Sequence, residues 1–123
     1  MLMEIAEKTG VMIKMNVKDF NEMLEERIKK TREVLAAKNK EYASDVDKLH
    51  NFKRAGKMLQ IAPEYALVGM MVKHTISILD IVDKINNNKE YPTKEMIEEK
   101  VGDNVNYLIL LEALIKEHID ETM

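Results

Sequence analysis

Residues 63–85 read "PEYALVGMMVKHTISILDIVDKI", and the fold follows from how their apolar positions are spaced. Leu67, Met70, Met71, Ile78, Ile81 and Ile85 form one stripe at helical spacing, and Val68, Val72, Ile76 and Leu79 form a second a third to a half turn away. A helix that is apolar on two faces needs neighbours on both sides. A narrow polar line of Lys73, Ser77, Asp80 and Lys84 runs between the stripes. Pro63 suits the first helical turn, where its missing N–H costs nothing.

The same period extends outward in both directions. Upstream, Val17, Phe20, Met23, Leu24, Ile28, Thr31, Val34 and Leu35 predict an amphipathic helix over about 17–40 with Asn16 as its N-cap. "NKEYASDVDKLHNF" loses that period and reads as a structured loop, followed by a short helix over about 51–60. "NNNKEYP" reads as a loop, and Thr93 caps a last helix ending near 119. Residues 1–15 fit a short strand, a frayed helix or an arm. The expectation is an all-α bundle of four to five helices, one domain over 16–123 with an N-terminal arm before it.

Composition narrows the function classes. In 123 residues, 46% are hydrophobic and 33% charged, which is the balance of a globular chain. A net charge of −3 with only four Tyr and two Phe gives no nucleic-acid footprint. The absence of cysteine removes thiol nucleophiles and cysteine zinc sites. The longest uninterrupted apolar runs fall short of a membrane span and the N-terminus lacks a signal-peptide pattern, so the expectation is a cytoplasmic protein with no membrane or nucleic-acid partner. Two doubly apolar helices in so short a chain also predict a homo-oligomer, a dimer in the simplest case.

The chemistry-bearing line lies in the last helix, "EEKVGDNVNYLILLEALI" at 98–115. Glu99, Asp103 and Asn106 stand at i, i+4 and i+7, and the same stripe continues into Leu110, Ala113 and Leu114. Two carboxylates one turn apart repel unless a cation lies between them, and Mg²⁺ is a cation that takes one or two carboxylates while leaving its other positions to water and phosphate. Structural alternatives stand beside this reading. The Lys73 line also fits a solvated surface row, His74 a packed core histidine, His118 a partner for the helix C-terminal dipole, and the ten methionines core filling.

Taken together, the loop "KNKEYASDVDKLHNF", the helix "GMMVKHTISILDIV" and the last helix resemble the all-α nucleoside triphosphate pyrophosphohydrolases, the MazG-like proteins and dimeric dUTPases, in their small phage or prophage branch. The resemblance implies a dimer or tetramer that splits an NTP into NMP and pyrophosphate with Mg²⁺. It maps the metal onto Glu99 and Asp103, with Asp80 as a further ligand, and the general base onto Glu41 or Glu98. Substrate contacts map onto Lys40, Tyr42, Asn51, Lys53, Lys73, His74 and Asn106. The chain departs from the family at two points: Glu99 and Asp103 are four apart where the usual spacing is three, and "KHTIS" replaces the first Glu-x-x-Glu pair. Two other classes fit the same residues, a nucleotide binder without turnover and an interaction module whose polar rows set helix register.

Overall fold

The computed structural model describes residues 14–37 and 47–122, and these hold four α-helices and no strand. They are α1 (Val17–Ala37), α2 (His50–Leu59), α3 (Pro63–Asn88) and α4 (Lys94–Thr122). The chain divides into two compact units between Lys30 and Thr31, inside α1, where the sequence led us to expect one domain. In the first unit α1 leaves Val17, Phe20, Met23, Leu24 and Ile28 exposed. The call on residues 1–15 lies, up to residue 13, outside the described residues, and residues 14–16 lead into α1 without regular structure.

Local chemistry sets the helix ends. The Asn16 side chain accepts a hydrogen bond from the Asp19 N–H at 2.8 Å, and Thr93 Oγ1 accepts one from Met96 N–H at 3.1 Å. Each satisfies an amide that the first turn leaves without an intrahelical partner. α2 stops where Gln60 enters the left-handed region at φ 58°, letting Ile61 N–H reach back to the Gly56 carbonyl at 3.0 Å. Ala62 is extended, as a residue before proline must be, and Pro63 opens α3. α3 overruns the expected end by three residues. Asn86, Asn87 and Asn88 occupy its last turn because Lys89, at φ 58°, closes the helix with its N–H on the Ile85 carbonyl.

In the second unit α3 packs against both α2 and α4. α3 and α4 run antiparallel, since Asn104 meets His74 while His118 meets Glu64. Leu49, Phe52, Leu67, Leu110 and Leu114 form the core, with Leu35, Tyr107 and Leu111 packed against it. α3 also has the length and mean hydropathy, 1.4 over an 18-residue window, of a membrane-crossing helix. The sequence runs looked shorter because Lys73 and Asp80 interrupt them; the window average absorbs both.

Candidate functional site

At the junction of α3 and α4, an amide clamp fixes the register of the two helices. Asn104 Nδ2 donates to the His74 carbonyl at 3.0 Å and to the Lys100 carbonyl at 2.8 Å, while Thr75 Oγ1 donates to Asn104 Oδ1 at 3.3 Å. This clamp sets His74 beside α4. Its Nδ1 lies 3.4 Å from Asp103 Oδ2, and its ring stacks at a 30° tilt on Tyr107 with centroids 5.0 Å apart. Tyr107 in turn meets the buried Phe52 edge to face at 6.3 Å. The Asp103 side chain is 32% exposed and that of His74 22%, so both stay open to a ligand while packed on one side. Burial, and then the Asp103 charge, push the Tyr107 hydroxyl above the usual tyrosine range.

Glu99 lies one turn before Asp103 on the same helix and is exposed. Asp80 is exposed on α3, and among the described residues no three acidic, histidine or cysteine side chains gather into a metal-binding group. The trio Glu99, Asp103 and Asp80 is therefore not assembled. What stands is a carboxylate pair with His74 beside it. That donor set fits Mg²⁺ only as an ion holding most of its shell from water and phosphate oxygens, which is that ion's habit.

The substrate set divides in the same way. Lys73 is exposed on α3, and its carbonyl accepts from Ser77 Oγ at 3.1 Å. Lys53 is a bridge. Its ammonium pairs with Asp47 at 2.8 Å and also with Glu117, linking the approach to α2 with the far half of α4. The hydrogen bond to Asp47, then that to Glu117, raise the Lys53 pKa; the Lys53 ammonium, then the Leu49 N–H, lower that of Asp47. Asn106 is 6% exposed, and its Oδ1 has no hydrogen-bond partner, as is also true of Thr31 Oγ1. Asn51 and Glu98 are exposed on α2 and α4. Lys40, Glu41 and Tyr42 lie outside the described residues.

Three participants escaped the sequence reading. Asn104 and Tyr107 had no family role and no distinctive spacing, and their partners His74 and Thr75 lie about thirty residues away. His118, assigned to the helix dipole, instead pairs with Glu64 at 2.8 Å in the first turn of α3. No protein-family model matches the chain, and no curated protein or solved structure matches it.

Proposed function

We propose that the chain is a cytoplasmic, Mg²⁺-dependent nucleotide-binding protein of the MazG-like all-α type, working as a homodimer and hydrolysing a nucleoside triphosphate to the monophosphate and pyrophosphate. The observation that carries this reading is the position of Asp103: one turn from Glu99, against the His74 imidazole, and only partly open to water. Carboxylates so placed hold a hard cation in contact with a bound phosphate chain. Glu99 and Asp103 would hold the ion, and Mg²⁺ supplies charge neutralisation on the phosphates and a more acidic water. On the chain's side, the Asn104 clamp keeps His74 and Asp103 in register, and His74 has one ring nitrogen directed at the carboxylate. Lys73 supplies a point charge on the same stretch of α3.

A second reading, nucleotide binding without turnover, draws support from the unassembled third carboxylate. One experiment separates them. A panel of NTPs and dNTPs is incubated with Mg²⁺, pyrophosphate and orthophosphate are measured separately, and binding is followed by calorimetry. The expected result is Mg²⁺-dependent pyrophosphate release that falls by about a hundredfold or more in Asp103→Asn, the scale of losing a group that stabilises developing charge. Binding without release selects the second reading. Neither binding nor release, with Asp103→Asn altering stability alone, overturns both.

A further inference from the structure

A surface on the α3–α4 pair has no partner in the chain. Val72, Ile76 and Leu79 on α3 are 46%, 50% and 55% exposed, and Val101, Leu108 and Ile115 on α4 are 37%, 54% and 42% exposed. On α3, Val72 and Leu79 each follow by one position a more enclosed residue, Met71 and Ile78; on α4, Leu108 and Ile115 follow Tyr107 and Leu114 in the same way. One position is a turn of about 100°. Because the helices are antiparallel, the same turn on each carries both stripes to the same side of the pair. The six side chains therefore share one apolar face spanning two helices.

We infer that this face is covered by the same face of a second copy of the chain, giving a four-helix interface across α3 and α4. The inference gives the homodimer proposed above a definite surface, and it rests on apolar burial alone. The six side chains leave roughly 500 Å² of apolar surface in water on each chain, so pairing removes about 1,000 Å² before the flanks count, which reaches the size of a specific interface. Isolated monomers seldom keep so large a contiguous patch. A lipid bilayer is the rival occupant, since α3 alone has the length and hydropathy for one. It fits worse. α4 lies along α3 and carries Glu99, Lys100, Asp103, Glu112 and Lys116, and α3 itself carries Lys73 and Asp80 near its middle, all costly in hydrocarbon.

The test is the mass of the full chain in solution, by light scattering at micromolar concentration, for the native protein and for Leu79→Glu, Leu108→Glu and the distant control Lys57→Glu. The expected masses are twice the chain mass for native and control, and the single chain mass for both face variants, with helical circular dichroism unchanged. If either charged variant loses its helix, Leu79→Ala and Leu108→Ala replace them, and each is expected to weaken association at least tenfold. A native protein at single-chain mass overturns the inference, as does an assembly whose affinity survives the face substitutions. Co-sedimentation of the native protein with phosphatidylcholine–phosphatidylglycerol vesicles also overturns it, in favour of the bilayer. None of these readouts involves nucleotide, so failure here leaves the catalytic reading to its own experiment.

Discussion

Two glycines in the second unit have opposite reasons for being there. At Gly56 an added Cβ would lie 2.8 Å from the Ile61 carbonyl oxygen and 3.2 Å from Pro63, so the tight passage from α2 to α3 requires a residue without a side chain. At Gly69, within α3, an added Cβ would meet nothing within 4 Å. Gly56→Ala must displace backbone and is expected to destabilise by about 1–3 kcal/mol, as overpacking does. Gly69→Ala removes the entropic cost of a helix-interior glycine and is expected to stabilise by about 0.5–1 kcal/mol. Urea unfolding of both variants checks the pair, and equal destabilisation would contradict the open position of Gly69. The sequence shows two glycines five to seven residues from Pro63; only the packing shows which of them is forced.

Between elements, the strongest polar link is Lys53, which holds Asp47 ahead of α2 and Glu117 in α4. The helices themselves were legible because their signals are local: Asn16, Pro63 and Thr93 act within one turn of where they stand. Lys53 was legible only as a spare positive charge, since Glu117 lies far along the chain and nothing in the spacing joins them. The same distance hid the pairing of His118 with Glu64 and the stacking of His74 on Tyr107. The bridge has a pH signature. Asp47 titrates below the usual carboxylate value when folded, so its share of stability is present above that value and is lost as pH falls through the lowered one. Lys53 titrates above the usual lysine value, so its share is complete below that value and is lost as pH rises through the raised one. Stability is therefore flat across neutral pH and declines at both extremes. In Lys53→Met the alkaline decline attributable to the bridge disappears, and urea unfolding at pH 7 shows a loss of about 0.5–1 kcal/mol, in keeping with side chains a third exposed.

On the scale of the molecule, the all-helical class was readable from period alone, and so was the excess of apolar faces over places to bury them. The site was readable as a carboxylate pair with a histidine near it, but its clamp was not, because Asn104 and Thr75 look like ordinary surface residues until α3 and α4 are aligned. That alignment has a consequence for how much the peptide linkage between the two helices matters. α4 is joined to the rest of the second unit by the Asn104 clamp, the His118–Glu64 and Lys53–Glu117 pairs and the packing of Leu110 and Leu114 on the core. The segment 89–93 connecting it to α3 contributes mainly the two helix ends. The chain should then tolerate being made in two pieces. A polypeptide of residues 1–90 and a synthetic peptide of residues 91–123, the latter short enough to be a marginal helix alone, are expected to combine on mixing. The helical signal of the mixture should exceed the sum of the parts, and one species containing both should elute on gel filtration. Separate elution with no gain of helix would show that α4 depends on its tether, whereas recombination would make α4 an exchangeable part, one that can be labelled or chemically altered at Glu99 and Asp103 and then returned to the protein.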